Sequence, residues 1–226
     1  MSELSHSPAR LYWQMYRSLV GIGVLCGLII VMAYQWTLTP IQKKRQAATQ
    51  AAIFKVLPGA RYQKGFILKE DGHFAPIKEN EATPLLFAGY DEHKKFIGYA
   101  IPASGMGYQD AIELIYGYDP QQQKIIGMKV LDSRETPGLG SRIEDVPFQK
   151  NFRQLDVRLD GKNQHLVHDI KVVKHGTKKM AWEIDAISGA TVSSRAVGNI
   201  IEQSVAQWLP RLRKQQQEFS YVDQTN

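Results

Sequence analysis

Cysteine is almost absent: Cys26 is the single one in 226 residues. It can close no disulfide within the chain, and it cannot supply a thiolate cluster for zinc or iron–sulfur. Cysteine usage therefore says nothing about the redox compartment, and Cys26, set in the most apolar stretch, reads as a small apolar residue. Concentrated charge is missing too. The formal net charge of +6 is scattered in short pieces such as Lys43-Lys44-Arg45 and Lys178-Lys179. Without a basic stripe interleaved with aromatics, the chain does not read as a nucleic-acid binder. A membrane surface or an acidic protein partner fits a mild positive balance better. There is no internal repeat, no long low-complexity segment, and no local Ser/His/Asp set that would make a hydrolytic site. His165 and His168, beside Asp169, stand three apart in a strand-like stretch, where alternation puts them on opposite faces. They read as a solvated strand edge rather than a metal pair.

One long apolar run is present. Residues 18–36, SLVGIGVLCGLIIVMAYQW, hold no charge. As a helix they rise by roughly 28 Å at about 1.5 Å per residue, which matches a hydrocarbon core of about 30 Å. Tyr12, Trp13 and Tyr16 bracket one end, and Tyr34 and Trp36 the other, as the two headgroup layers favour. A cleaved signal peptide is the alternative, with Arg10 and Arg17 as its basic region and Val31-Met32-Ala33 as its cleavage site. The length of the run and its bracketing aromatics favour a retained anchor. Comparing Arg10 and Arg17 with Lys43, Lys44 and Arg45 tilts the local charge count slightly towards a cytoplasmic C-terminal side.

After the anchor, residues 37–59 read as a membrane-proximal helix. Ala47, Ala51, Phe54 and Leu57 recur at helical spacing and Pro58-Gly59 stops them. Short strands follow. Residues 66–68 pair with 74–77, 85–90 with 96–101, and 112–118 with 125–131, each as an antiparallel hairpin across a turn. Residues 166–173 and 180–187 add a further pair of strands around Gly176-Thr177. Ser141 and Glu144 have capping-box spacing, which predicts a helix from Ser141 to about Leu155. A last helix is predicted from about Ser193, with Val197, Ile200, Ile201, Val205, Trp208 and Leu212 on one face. The pattern is α+β: a single antiparallel-sheet domain over 60–212, closed by a C-terminal helix, with 213–226 as a flexible tail.

Three segments could hold a ligand. Residues 104–108, SGMGY, resemble a fragment of a nucleotide-binding loop, but no helix or further glycine follows, so a glycine-rich bend is the better reading. The loop Glu135-Thr136-Pro137-Gly138-Leu139-Gly140 is more specific. Pro137 and the glycines shape a loop with little side chain at its bend, which can bring amides against a flat ligand and lets Leu139 project alone. The third segment is Asp185-Ala186-Ile187-Ser188-Gly189-Ala190-Thr191-Val192-Ser193-Ser194, leading from a strand into the last helix. Small neighbours leave the Thr191 hydroxyl accessible, and the free amides of a helix start favour an anion there. Read for structure alone, Thr191 or Ser193 simply caps the helix.

Together, the last two segments resemble the flavin-binding domain shared by the G subunit of the Rnf electron-transport complex and the C subunit of the sodium-pumping NADH:quinone reductase. That family's covalent-flavin signature is Asp, two spacers, then Ser/Thr-Gly-Ala-Thr; Asp185, Ser188, Gly189, Ala190 and Thr191 match it. Residues 135–140 reproduce its Glu-Thr-Pro-Gly-Leu-Gly loop. The resemblance also takes in the anchor, the Val56-Leu57-Pro58-Gly59 helix end and the hairpins. One departure is Asp110, which stands where members often carry a further glycine.

The resemblance implies FMN joined by a phosphodiester bond to Thr191, attached by a flavin transferase using FAD. It implies cofactor contacts from Ser188, Gly189, Ala190, Val192 and Ser193, and from Glu135, Thr136, Gly138 and Leu139, with the ring against Glu135, Thr136 and Leu139. It also implies a single-pass protein of the bacterial inner membrane, with residues 1–17 cytoplasmic and the globular domain periplasmic. Its partners would be the other membrane subunits of a Rnf-type ion-translocating complex. The short connection between anchor and first hairpin leans to the Rnf type. A C-type subunit of the sodium pump, a stand-alone flavin carrier, and a non-redox anchored sensor or assembly module are the alternatives.

Overall fold

The computed structural model describes residues 8–77 and 84–219. The chain divides into two compact units, Met1–Ala48 and Thr49–Asn226. Helix α1 runs over Pro8–Val56, and its stretch Met15–Trp36 is apolar and long enough to cross a membrane, with its side chains exposed.

The second unit is built on a sheet. Strands β1 (Tyr62–Leu68), β2 (Phe74–Pro76), β3 (Leu86–Tyr90), β4 (Phe96–Met106), β5 (Ala111–Asp119), β6 (Lys124–Asp132) and β7 (Leu155–Asp156) line up in the order β2-β1-β3-β4-β5-β6-β7, antiparallel throughout. Alternation along the strands makes two apolar faces. On one face the last turn of α1 packs Ile53, Val56 and Leu57 against Ala100 and Ile115. Here the Val56 carbonyl comes so close to Gly117 that a Cβ would collide with it. The other face carries Tyr90, Tyr99, Ile101, Leu114 and Tyr116, and helix α3 (Thr191–Lys214) covers it with Val197, Ile201, Val205, Leu209 and Leu212. Burying each of these α3 side chains contributes roughly 1.5–3 kcal/mol. The Tyr116 hydroxyl is satisfied by Ser204 at 2.9 Å, and burial pushes its pKa well above the usual tyrosine value.

Several expectations change. In place of one helix from Ser141 to Leu155 there is a 3₁₀ turn over Gly140–Glu144, an extended Asp145 (φ −76, ψ 147), a short helix α2 over Val146–Gln149, and a second 3₁₀ turn over Lys150–Phe152. Pro147 lacks an N–H and crowds the carbonyl of the preceding turn, so it is accommodated in the first turn of α2, where its N–H would have no partner, and the chain breaks at Asp145 just before it. The capping box does not form: the Ser141 hydroxyl instead accepts from Gly138 N at 3.0 Å. Strands β8 (Lys171–Val173) and β9 (Glu183–Asp185) are shorter than expected and pair in parallel, apart from the main sheet. His165 lies outside any strand, and His168 stacks on Trp182 with ring centroids 3.8 Å apart. The packed chain also extends beyond Leu212. Phe219 is fully buried against Phe66, Phe74 and Tyr99, and its carbonyl accepts from the Tyr90 hydroxyl at 2.9 Å. The expected tail from 220 onward lies outside the described residues.

Candidate functional site

Three segments converge where α3 begins. Strand β9 ends at Asp185, whose Oδ1 accepts from Gly176 N at 2.7 Å and whose Oδ2 lies 3.3 Å from His175 Nδ1. The Asn151 side chain receives the Asp185 N–H at 2.9 Å and donates to the Asp185 carbonyl at 3.2 Å. The loop then turns outward through Ser188 and Gly189, both exposed, with Gly189 at φ +82, a left-handed conformation that suits glycine. Ser194 holds the returning chain: its hydroxyl accepts from Ile187 N at 3.0 Å and donates to the Ala190 carbonyl at 2.8 Å.

Ala190 is the N-cap of α3 and Thr191 its first residue, and no side chain caps the helix. Thr191 and Val192 are therefore exposed on the opening turn, while Ala190 and Ser193 are buried. The capping reading is set aside for both hydroxyls. Ser193 donates instead to Glu135 Oε2 at 2.5 Å.

The 135–140 loop lies alongside. Glu135 is 5% exposed, and its Oε1 accepts from the amides of Tyr108 (2.7 Å) and Gln109 (3.2 Å) in the β4–β5 bend. Thr136 is half-buried. Its carbonyl receives the Leu139 and Ser141 amides, each at 3.1 Å, and its hydroxyl faces Gln109 Oε1 at 3.4 Å. Gly138 sits at φ +74 at the exposed tip, and Leu139 is 51% exposed with its Cδ2 against Gly189. From the following 3₁₀ turn, Arg142 reaches across to donate to the Ser188 carbonyl at 3.4 Å.

All the residues singled out in the sequence thus gather in one place, but in two layers. Thr191, Ser188, Gly189, Val192, Gly138 and Leu139 face outward; Glu135, Ser193 and Ala190 lie behind them. The sequence pattern did not single out Arg142, Tyr108, Gln109 or Ser194 as members of the site. Arg142 stands two residues past the loop in a segment read as helix, so nothing in its spacing pointed to Ser188. The β4–β5 bend, read only as a glycine-rich turn, is joined to the site through Glu135. Nearby, Pro147, Lys150, Asn151, Lys178, Lys179 and Asp185 line a cleft of about 570 Å³. Burial there lowers the Lys178 pKa, an effect opposed by Asp185 and Glu183.

An exposed hydroxyl on the first turn of a 24-residue helix, with a guanidinium across the loop and an exposed leucine beside it, suits a group that carries both phosphate and an apolar ring. Residues 107–206 match the family model described as FMN-binding domain. That stretch is similar to an FMN-binding domain. The match begins at the β4–β5 bend and ends within α3, so it takes in every segment of the site. Over most of its length the chain is similar to proteins named as the G subunit of an ion-translocating oxidoreductase complex. The one from Methanosarcina acetivorans is 26% identical over 194 residues, 83% of this chain and 89% of the relative. The one from Pseudomonas aeruginosa is 28% identical over 191 residues, 83% of this chain and 82% of the relative. A Clostridium ljungdahlii protein, named as the G subunit of a proton-translocating ferredoxin:NAD(+) oxidoreductase complex, is 28% identical over 183 residues, 81% and 84% of the two chains. Among solved structures, the fold is shared with the C subunit of the Na(+)-translocating NADH-quinone reductase from Parabacteroides distasonis. That match has a TM-score of 0.60 and 19% identity, covering 78% of this chain and 97% of the other. Shewanella oneidensis NqrC matches with a TM-score of 0.52 and 20% identity, covering 73% and 75%. The resemblance carried by residues 135–140 and 185–191 therefore stands, and with it the antiparallel FMN-binding fold.

Proposed function

We propose that this chain is the membrane-anchored electron-transfer subunit of a Rnf-type ion-translocating oxidoreductase complex, and that it carries FMN covalently on Thr191. The observation that carries the reading is the placement of Thr191: an exposed residue opening α3, in the register of the Asp-x-x-Ser-Gly-Ala-Thr signature, on the turn that Ser193 ties to Glu135 of the Glu-Thr-Pro-Gly-Leu-Gly loop. Attachment forms a Thr191 Oγ–phosphorus bond as the pyrophosphate bond of FAD breaks, releasing AMP and the hydroxyl proton; a flavin transferase performs the exchange. Bound through its phosphate, FMN keeps its ring intact and supplies one-electron transfer.

The protein's own residues position and tune. Ser188 and Gly189 leave the hydroxyl reachable; with FMN attached, the α3 amides and Arg142 would balance the phosphate charge, and Leu139 would shield the ring from water. No residue of the site needs to act as a general acid or base. The tether keeps the cofactor with the protein. Met15–Trp36 anchors the chain in the inner membrane, and the domain faces the periplasm, since large domains translocate largely regardless of flanking charge. The partners are the other membrane subunits of the complex. The relatives by sequence are G subunits, which favours the Rnf type over the sodium pump, whose C subunit shares the fold.

The test is direct. Full-length chain, made together with the transferase, is denatured, run on a gel and viewed under ultraviolet light. A fluorescent band establishes covalent flavin, whereas a dark band from properly folded protein removes the covalent link to Thr191. A reporter active only in the periplasm, fused after Asn226, checks the topology; activity from a cytoplasmic reporter instead reverses it.

A further inference from the structure

The carboxylate of Glu135 is turned into the protein. Its oxygens are already engaged by the amides of Tyr108 and Gln109 and by the hydroxyl of Ser193, and the residue is 5% exposed. The three segments it touches are each shaped around it. In the β4–β5 bend, a Cβ on Gly107 would collide with Glu135 Oε1. In its own loop, a Cβ on Gly140 would collide with Glu135 Oε2 and come within 2.8 Å of Ser193 Oγ. At the start of α3, Ser193 turns inward rather than capping the helix. Charge-assisted bonds of this kind are short, strong and directional, so one carboxylate can hold three backbone segments in register. Leu139 lies four residues after Glu135, and Thr191 two residues before Ser193.

We propose that Glu135 is the positioning residue of the flavin site: its carboxylate clamps the β4–β5 bend, the 135–140 loop and the start of α3 together, and so sets where Leu139 and Thr191 stand. This rests on the attachment of flavin to Thr191. It differs from a ring contact or a tuning charge in what the substitutions do. Glu135→Gln keeps an oxygen for the two amides and offers its NH₂ to the Ser193 oxygen, so it removes the charge and preserves the clamp. Glu135→Ala removes the clamp. Ser193→Ala frees only the α3 arm.

The test uses flavin-loaded full-length protein in detergent, with two readouts: visible circular dichroism of the bound flavin, and hydrogen exchange at the Tyr108 and Gln109 amides. Glu135→Ala is expected to lose the flavin dichroism and bring both amides to the exchange rate of free loop amides, while flavin stays covalently attached. Ser193→Ala is expected to lose part of the dichroism with the two amides still protected. Glu135→Gln is expected to keep both signals. Parent-like dichroism and exchange in Glu135→Ala overturn the proposal. A Glu135→Gln spectrum that matches Glu135→Ala overturns it too, since charge rather than position would then act on the ring. If Glu135→Ala does not fold, Ser193→Ala decides, and unchanged dichroism there sinks the clamp. A parent protein without flavin defeats the functional reading alone, and the exchange arm still decides the clamp.

Discussion

Glu135 and Thr191 belong to the two signature segments and to one site, yet the fold treats them in opposite ways. Glu135 is turned inward and engaged by three donors. Thr191 is turned outward, two residues from a serine that is 3% exposed. The loop around Glu135 binds the protein to itself, and the turn around Thr191 offers an unburdened hydroxyl to whatever arrives. A functional signature is therefore two kinds of residue mixed along the chain: a frame that meets its own polar groups internally, and a reactive surface turned to solvent. Substitutions in the frame should cost stability, and those in the surface should cost the cofactor or its potential.

The largest separation is expected at Thr191. Thr191→Val removes the hydroxyl while nearly keeping the shape, so covalent flavin should vanish completely while unfolding free energy changes by less than about 0.5 kcal/mol. Fluorescence of the denatured variant and its melting curve check both halves; retained fluorescence would falsify the attachment site. Gly140→Ala tests the frame. The added methyl meets Glu135 and Ser193, and overpacking of this kind costs about 1–3 kcal/mol. That should appear as a fall of about 2–4 °C in melting temperature per kcal/mol. A parent-like melting curve would mean that the frame is soft.

Ser194→Ala should cost about 1–2 kcal/mol, because the Ile187 amide loses the hydroxyl oxygen it donates to. The loss should be visible in denaturant midpoints, with flavin still attached. The smallest overall effect is expected at the exposed rim, where stability changes as little as in Thr191→Val and flavin stays attached. Leu139→Ala and Arg142→Gln should each stay within about 0.5 kcal/mol of the parent, while shifting the flavin midpoint potential by up to roughly 59 mV, the one-electron equivalent of about 1.4 kcal/mol. Redox titration of the loaded protein reads this. Parent-like potentials in both would place the ring away from the 135–140 loop.

Much of the frame was legible because its physics is local. Alternating apolar residues and turn chemistry predict the hairpins β1–β2, β3–β4 and β5–β6, and each pairs as antiparallel neighbours in the sheet. Periodicity predicts α3 and its buried face. The helix expected from Ser141 to Leu155 breaks at the extended Asp145, two residues before Pro147, a stop signal that the capping-box spacing outweighed. β8 and β9 pair in parallel rather than as a hairpin, since a Gly-Thr turn between apolar runs says nothing about whether a chain doubles back directly. Phe219 joins the core from beyond the expected domain end because a single aromatic among polar residues has no periodicity to betray it.

At the site the division is sharper. The two signature segments were visible in the sequence, since signature spacing and glycine content are properties of neighbouring residues; Arg142, Tyr108 and Gln109 were not. The membrane-crossing potential of residues 18–36 was visible for the same reason, being a matter of length and missing charge. Which way each side chain faces was not. The inward turn of Glu135, its bonds to residues 26, 27 and 58 positions away, and the reach of Arg142 over 46 positions to Ser188 depend on packing of β4, β5 and α3 around a shared core. Buried polar groups must find partners, and only the folded chain determines which partners are within reach.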